Sequence, residues 1–541
     1  MSGRRLKGFV TALYETDPER NLLPLDGLSG DMASFDSATL ESLRWASTHY
    51  VTPLSVILKR TVPPNVPKPD LTGQRVPTRG PSRADGRHTL EYRVGTAPYG
   101  EAIAVSIGPT VDIGRNVVVI APSVVEIDEI AHRLHAEFGD QVVKATSSMP
   151  GAEVTGAWSS VAGDKGTILV GTREVMFWPF GGAGIVVVVE DGRRVMRSQA
   201  TPTLSVREVV LRRAAGESFS VVFHGPVPTL ETIAHGVPVT ASQGRQWPMV
   251  EVADRSDEPP GGGLLTEKAA AAIRRTTSER ERTFVLVSSR GYAPAFRCVA
   301  CGEVRKCTTC GSAASREDSC RRCGAGLGAC SSCGAGRFQA LGAGIGRTVE
   351  TIKAFVGDDV GRADEGRLVT VGSERDLIGV HDMGLAVAVD VDGLTMAPHY
   401  RAGEDALRLL ARLAHTVKRG VGRSCLIQTA IPRQDVVAAL VNGHSEDFLE
   451  GELASRRELG FPPVGSLIAI ETEGRFGAEE LLRREVGQMG TILGPAPVDA
   501  RMRWLIQGQD LQDARLALRP VLSTLRSRGA KVRVDVDPID L

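Results

Sequence analysis

Four C-x-x-C pairs lie close together in the middle of this chain of 541 residues. They hold eight of its nine cysteines. Each pair places two sulfurs on one side of a tight turn, which suits two corners of a metal tetrahedron, and two such turns complete a four-cysteine site. The pattern therefore predicts two metal sites. The predicted ligands are Cys298, Cys301, Cys307, Cys310, Cys320, Cys323, Cys330 and Cys333.

The gaps between the pairs favour a nested arrangement of these sites. Five residues separate Cys301 from Cys307, whereas nine separate Cys310 from Cys320, enough for a hairpin that brings two pairs face to face. A glycine follows the second cysteine of every pair, where backbone N–H groups must turn toward the thiolates. The inner site is then expected to use Cys307, Cys310, Cys320 and Cys323. The outer site is expected to use Cys298, Cys301, Cys330 and Cys333.

Structural zinc, two ions per chain, is the expected metal. An iron–sulfur cluster and redox dithiols are the alternatives. A catalytic zinc is disfavoured because four cysteines fill each site and leave no position for water. The segment 297–340 has seven Arg and Lys against three acidic residues, an excess that two four-thiolate zinc sites would cancel. Any contact with nucleic acid would then depend on local geometry around Arg305, Lys306, Arg316, Arg321 and Arg322.

The overall charge excludes a strong nucleic-acid-attracting field, because 64 basic residues balance 64 acidic ones. No apolar run approaches the length of a membrane span, and the first residues lack the apolar stretch of a signal peptide. We therefore expect a cytoplasmic protein without a membrane partner. In that compartment clustered cysteines indicate metal binding rather than disulfides.

The arrangement of apolar segments predicts an α/β fold. Continuous Val and Ile runs such as "NVVVIAP" and "GIVVVVEDG" alternate with amphipathic segments, a pattern typical of parallel sheets covered on both faces. "LKGFVTALYE" (6–15) alternates like a strand, and a helix is expected over 38–50. The expected order is a strand and helix (1–62), a Pro-rich linker (63–87), a first lobe (88–255), a second lobe (256–445) with the cysteine module (297–340), and a small α+β domain (446–541).

Several segments, taken in order, resemble the primosomal protein N′ family of replication-restart DNA helicases over nearly the whole chain. The resemblance implies two helicase-like (RecA-like) lobes, a two-zinc insertion in the second, nested cysteine pairing, and a C-terminal DNA-binding-like domain. It also implies that 1–62 is a truncated remnant of a domain that binds DNA 3′ ends. The segments that carry it are "SSRGYAPAFRC" (288–298), "ILVGTREVMFWPF" (168–180), "GPVPTLET" (225–232), "VDVDGLTMAPHYRAGE" (389–404), "RRELGFPPVGSL" (456–467) and "VDVDP" (534–538).

The chain departs from this family at the positions that handle ATP. Where a phosphate loop is expected, we place a turn at "SIGPTVDIG" (106–114), which has no Lys followed by Ser or Thr. After the strand "IVVVV", only Glu190 and Asp191 remain of the metal-binding motif, and they are favoured as acids at a strand end. Arg419 and Arg423 remain of an arginine-finger motif without its spacing. No catalytic or nucleotide-binding residue is assigned.

Candidate DNA contacts each have a structural alternative. Arg290 and Tyr292 could stack on a base or pack the junction with the cysteine module. By resemblance, Arg501, Arg503 and Trp504 are candidates for contacts with branched DNA, and a half-buried tryptophan is the alternative reading. Cys425, the ninth cysteine, is expected to be a buried apolar residue.

These observations predict a replication-restart, primosome-type protein. It would bind forked or single-stranded DNA and recruit other primosome or replication proteins without unwinding DNA. One alternative is a weak ATP-dependent 3′–5′ helicase, which ATP binding would distinguish. The other is a zinc-ribbon nucleic-acid adaptor, which would show no preference for forks over plain duplex.

Overall fold

The computed structural model divides into two compact units, Met1–Arg93 with Pro98–His224, and Val94–Ala97 with Gly225–Leu541. Among the residues that it describes, no helix is long and apolar enough to cross a membrane. The described residues are 8–13, 27, 33–63, 88–163, 166–241, 244–258, 263–287, 295–301, 303–309, 319–320, 324–341, 344–474, 476–498 and 500–540.

The first unit is built on a sheet whose strands follow the order β3-β4-β2-β5-β6-β1, with parallel pairing from β3 to β6. Every residue of β2 and β5 is buried, as expected for strands covered on both faces. The strands are β1 (Leu90–Val94), β2 (Val117–Ile120), β3 (Val142–Ala145), β4 (Ile168–Gly171), β5 (Ile185–Val189) and β6 (Ser220–Gly225). The helices are α1 (Ser37–His49), α2 (Leu54–Leu58), α3 (Gly100–Asp112), α4 (Val124–Phe138), α5 (Gly151–Ala162) and α6 (Val206–Glu217).

The predicted Val and Ile strands and the helix α1 are confirmed, but the strand expected over 6–15 is wrong for its described part. Residues 8–13 form no strand, and Val10 and Leu13 are exposed. A strand is stable only when a neighbour pairs with it and covers its apolar face, and exposed side chains here indicate that neither condition is met. Helix α1 instead contributes to the first unit by packing on α6. The linker predicted at 63–87 lies, apart from residue 63, outside the described residues.

The second unit has a parallel sheet in the order β12-β13-β9-β14-β15-β8. It includes β8, upstream of the boundary expected at 255. The short strand β7 is Val239–Thr240. The strands of the sheet are β8 (Val250–Asp254), β9 (Thr283–Leu286), β12 (Val360–Arg362), β13 (Val369–Gly372), β14 (Leu385–Ala388) and β15 (Ser424–Thr429). The helices are α7 (Leu230–Ala234), α8 (Glu267–Ser278), α9 (Ile345–Val356), α10 (Val391–Thr395), α11 (Ala402–His415), α12 (Asp435–Asn442) and α13 (Glu446–Leu459).

Apolar residues cover this second sheet on both faces. Phe284 and Leu286 of β9 join one buried cluster, while Val285 between them joins another. Cys425 of β15 is fully buried, as predicted. Burial on both faces explains why these strands read as continuous apolar runs rather than alternating ones.

The cysteine module follows β9 and precedes α9, as the sequence predicted. Its base is an antiparallel pair, β10 (Ala295–Cys298) and β11 (Phe338–Leu341). The hairpin places Cys298 opposite Phe338. The two ends of the inserted segment therefore return to the same point of the second unit.

The C-terminal region is an antiparallel sheet in the order β17-β18-β16-β19, with two helices that pack on each other. Its elements are β16 (Ser466–Glu473), α14 (Ala478–Val486), β17 (Thr491–Val498), β18 (Arg501–Gly508), α15 (Gln512–Ser527) and β19 (Lys531–Val536). Together with the two parallel sheets and the cysteine module, this confirms the predicted fold class.

Candidate metal centre and altered nucleotide site

The sulfurs of the expected outer site lie together. Those of Cys298, Cys301, Cys330 and Cys333 are all within 4.8 Å of one another. The Sγ atoms of Cys298 and Cys333 are 3.5 Å apart, and those of Cys301 and Cys330 are 3.6 Å apart. An ion about 2.3 Å from each of four tetrahedral sulfurs requires sulfur–sulfur distances of about 3.8 Å. These four residues therefore fit a structural zinc ion.

The expected inner site lies partly outside the described residues, because Cys310 and Cys323 do. Its other two cysteines, Cys307 and Cys320, are described and buried. The inner site therefore stays a prediction.

Two of the cysteine turns share one backbone geometry. The N–H of Gly334 donates to the carbonyl of Cys330 at 2.8 Å, and Gly334 has a φ of +76°. The N–H of Gly324 donates to Cys320 at the same distance, and its φ is +73°. Only glycine adopts this left-handed conformation without strain. The glycine after each of these pairs is thus required by the turn.

Backbone N–H groups also prepare the outer cysteines for a metal. A hydrogen bond from the backbone N–H of Cys301 is the main cause that lowers the pKa of Cys298 to about 7. The backbone N–H groups of Ser332 and Cys333 likewise lower the pKa of Cys330. The thiolate is the form that binds a metal, so these bonds favour the liganding state.

Arg305 is not available for DNA, contrary to the possibility raised from the sequence. Its side chain is buried, and one guanidinium nitrogen donates to the carbonyls of Leu327 at 2.9 Å and Gly328 at 2.5 Å. The guanidinium also lies 4.0 Å from the ring centre of Phe338. Arg305 therefore ties the first half of the module to the strand leading into Cys330. Lys306 is exposed, and Arg316, Arg321 and Arg322 lie outside the described residues.

The turn expected at 106–114 is wrong, because residues up to Asp112 belong to helix α3. Ile103 and Ile107, one helical turn apart, are fully buried and hold the helix on the sheet. Pro109 is accommodated in the last turn, where the helix ends three residues later. Tertiary burial has here outweighed the helix-breaking tendency of Gly108 and Pro109.

The equivalent of a phosphate loop is instead the segment between β1 and α3. Gly95 and Gly100 have the spacing of G-x-x-x-x-G, but Glu101 and Ala102 stand where such a loop has Lys and Ser or Thr. Glu101 lies in the first turn of α3 and its side chain is 82% exposed. A carboxylate there repels the phosphates that a lysine would attract. This glycine spacing was the sequence signal that we missed.

The acids after β5 are buried in ion pairs. A Glu190 carboxylate oxygen accepts a hydrogen bond from the Tyr99 hydroxyl at 2.8 Å, and Glu190 also pairs with Arg193 at 3.7 Å. Arg207 donates to Asp191 at 3.0 Å. Glu190 has a φ of +46°, which is unusual for a residue with a side chain. Both acids thus lie at a strand end, as favoured from the sequence.

The remaining arginines of the expected finger motif differ in environment. Arg423 pairs with Glu281 at 2.8 Å, and Lys418 pairs with the same carboxylate at 2.7 Å. Arg419 is exposed. Of the two arginines, Arg423 is therefore held in a local ion pair on the second unit.

Two segments that carry the family resemblance meet in a buried charge cluster of the second unit. Arg401 donates to Glu231, and the fully buried Glu404 accepts from Arg408 at 2.6 Å and Arg456 at 3.0 Å. Burial alone would raise the pKa of Glu404, but these arginines lower it. The sequence did not indicate that these segments touch, since about 170 positions separate Glu231 from Arg401.

Trp504 does not fit the role of a DNA contact. Its side chain is 2% exposed and so is more buried than expected. The neighbouring arginines lie on the other face of β18, where Arg503 pairs with Glu471 at 2.6 Å and Arg501 pairs with it at 3.2 Å. Arg501 keeps 40% of its side chain exposed. Arg290 and Tyr292 lie outside the described residues.

Comparison with known families finds a match at the C-terminal end of the chain. Residues 457–539 match the primosomal protein N C-terminal domain. This range holds the antiparallel sheet and both helices packed on it.

Curated relatives extend the similarity over most of the chain. Replication restart protein PriA of Treponema pallidum is 24% identical over 79% of this chain and 73% of its own length. The probable replication restart protein PriA of Mycobacterium tuberculosis is 26% identical over 82% of this chain and 76% of its own. PriA of Bacillus subtilis is 23% identical, and this chain covers 54% of it.

Among solved structures, RecG bound to a three-way DNA junction matches with a TM-score of 0.37 and 12% identity, over 69% of this chain and 47% of that one. Helicase MrfA bound to DNA and AMPPNP matches with a TM-score of 0.35 and 12% identity, over 67% and 48%. This chain thus spans about half the length of those structures. The resemblance found in the sequence is confirmed by the curated relatives and the family match: the chain has a primosomal protein N C-terminal domain and is similar to replication restart protein PriA over most of its length.

Proposed function

We propose that this chain is a replication-restart protein that binds forked or single-stranded DNA without driving ATP-dependent unwinding. The observation that carries the proposal is a combination. Similarity to replication restart proteins spans both units, yet Glu101 and Ala102 stand where a phosphate loop needs Lys and Ser or Thr. A chain that keeps the lobes while losing the groups that bind phosphate retains the scaffold of a helicase rather than its motor.

Loss of phosphate-binding groups has a direct energetic consequence. ATP sites of this architecture hold the β- and γ-phosphates with backbone N–H groups, a lysine and a metal ion. Here the helix that would receive the phosphates starts with an exposed carboxylate, and the acids after β5 are paired with arginines. Little then offsets the charge of a triphosphate.

Zinc has a structural role in this proposal. The outer site would hold one ion through four thiolates, and the inner site a second. Because four cysteines fill each site, the ions would fold the module and supply no open position for chemistry. The role of the module would then be to present a rigid surface beside the second lobe.

A protein without a motor must act through what it holds and what it recruits. We expect forked or single-stranded DNA as the ligand and other primosome or replication proteins as partners, in the cytoplasm. Because the chain has no net charge, DNA affinity should fall only shallowly with salt, as expected for roughly three to six phosphate contacts.

The test is fluorescence anisotropy with a labelled fork, a labelled single strand and a blunt duplex of equal length, each titrated at several salt concentrations. We expect tighter binding to the fork than to the blunt duplex at every concentration. Equal affinity for both would remove fork recognition and favour a zinc-ribbon adaptor.

A further inference from the structure

Arg193 lies at the carboxyl end of β5, in the centre of the first sheet. Ligands of parallel α/β sheets bind at this edge. The chain turns sharply after β5, and the backbone N–H of Arg193 donates to the carbonyl of Glu190 at 3.0 Å. The neighbouring strand β2 leads into α4, whose first turn contains Glu126. The fold thus brings carboxylates from two adjacent strand ends to one place.

The guanidinium of Arg193 lies between these carboxylates. It donates to Glu126 at 2.5 Å through Nη1, and its Nε lies 3.7 Å from Glu190. Little of these side chains is exposed: 11% for Arg193, 6% for Glu126 and 4% for Glu190. The Ser123 hydroxyl donates to the other oxygen of Glu126 at 2.6 Å. Arg193 is therefore a buried cation with two carboxylate partners.

Charge in this cluster is nearly balanced by the chain itself. Three carboxylates, those of Glu126, Glu190 and Asp191, face the guanidinium groups of Arg193 and Arg207. Buried carboxylates need such compensation, since leaving one unpaired is strongly destabilising. A guanidinium also supplies several donors in one plane, which suits two carboxylates at once.

The backbone of Glu190 gives an independent sign of constraint. Its φ of +46° is unfavourable for a residue with a Cβ atom. Its N–H donates to the His224 carbonyl at 2.7 Å, and the Tyr99 hydroxyl fixes its carboxylate. Such strain persists only where the surroundings hold it in place. The ion pair with Arg193 is one of the contacts that does so.

We infer that Arg193 is a built-in counter-cation: its guanidinium supplies the positive charge that a metal ion would supply beside these carboxylates, and so closes the altered nucleotide site from within. The inference rests on the proposed function, in which this lobe does not turn over ATP. It adds that the former site has become part of the structural core of the first unit.

The test is a double-mutant cycle on the full chain, read by differential scanning calorimetry without DNA or nucleotide. Arg193→Met keeps the length of the side chain but removes its charge, and it should lower the unfolding midpoint of the first unit by more than about 5 °C. Adding Glu126→Gln should restore part of that loss, because one uncompensated carboxylate is removed. Arg194→Met, at the exposed neighbouring position, is the matched control and should change the midpoint by less than about 2 °C.

Additive effects of Arg193→Met and Glu126→Gln would overturn the inference, because they would show that the two charges are not coupled. Stabilisation of the unaltered chain by millimolar Mg²⁺ would also overturn it, since the carboxylates would then be open to a metal. If Arg193→Met prevents purification, Arg193→Lys replaces it in the cycle and should lower the midpoint by a smaller amount. None of these readings involves DNA, so a failure of fork binding would count against the proposed function alone.

Discussion

The Sγ atom of Cys298 lies 3.5 Å from that of Cys333, although 35 positions separate the two residues. The base hairpin and the turn at Gly334 bring these sulfurs together with those of Cys301 and Cys330. We predict close to two zinc ions per chain by metal analysis of freshly purified protein. Cys301→Ser should reduce the content toward one ion, and Cys307→Ser should do the same from the other site. Iron with visible absorbance, or loss of both ions from Cys307→Ser, would contradict the nested pair.

Arg305 is expected to position the outer cysteines rather than to bind DNA. Because its guanidinium holds the carbonyls of Leu327 and Gly328, Arg305→Ala should loosen the approach of Cys330. Changes of this kind beside a metal site typically weaken affinity by about 10- to 100-fold. Zinc transfer to a chromogenic chelator measures the effect, with the exposed Lys306→Ala as control. Identical transfer from both variants would show that Arg305 does not support the site.

Burial of His224 predicts a pH dependence of stability. Burial, with a smaller contribution from Arg93, lowers the pKa of His224 to about 4 from its ordinary 6.5. The unfolded chain therefore binds the proton first, so stability falls as pH drops from about 6.5 to about 4, by up to about 3 kcal/mol from this group. His224 also lies 3.0 Å from the Ser106 hydroxyl, a contact that suits the neutral ring.

Urea unfolding of the first unit at several pH values measures this dependence. His224→Gln should flatten it over the same range while lowering stability at neutral pH. His415, in the second unit, has its pKa lowered to about 3 by burial and serves as the parallel case there. A first unit whose stability is unchanged between pH 6.5 and pH 4.5 would contradict the prediction.

In the C-terminal sheet, Arg501 and Trp504 should separate DNA binding from stability. Arg501 is 40% exposed, so Arg501→Ala should reduce the salt dependence of fork binding by about one phosphate contact while leaving the fold intact. Trp504 is fully enclosed, so Trp504→Ala should destabilise the domain by about 3–5 kcal/mol. Anisotropy titrations and urea unfolding of both variants are the measurements. Unchanged salt dependence in Arg501→Ala would exclude it as a phosphate contact.

Most of the fold was predictable where apolar burial is strong and local. The fully buried strands β2 and β5 follow directly from their Val runs, and the outer cysteines from their spacing. Helix α3 was missed because Gly108 and Pro109 argue locally for a turn, while the burial of Ile103 and Ile107 that decides the outcome is a tertiary effect. The buried charge clusters could not be foreseen, since they join residues from distant segments and charged side chains are ordinarily read as surface.

Contacts with DNA were the least predictable part of the site. Arg305 and Trp504 are residue types that often bind nucleic acid, but here each is buried against its own chain. Residue type alone does not distinguish a ligand contact from a packing contact, because arginine and tryptophan serve both purposes. Exposure decides between them, and exposure depends on the assembled fold.

The central claim is that the lobes keep the form of a helicase without its motor. The measurement that tests it most directly is phosphate release from Mg-ATP in the presence of fork DNA. We predict no DNA-stimulated hydrolysis, because Glu101 replaces the phosphate-binding lysine and Arg193 occupies the carboxylates after β5. DNA-stimulated hydrolysis that is abolished by Glu190→Gln or Asp191→Asn would contradict the claim and identify the chain as an active, divergent helicase.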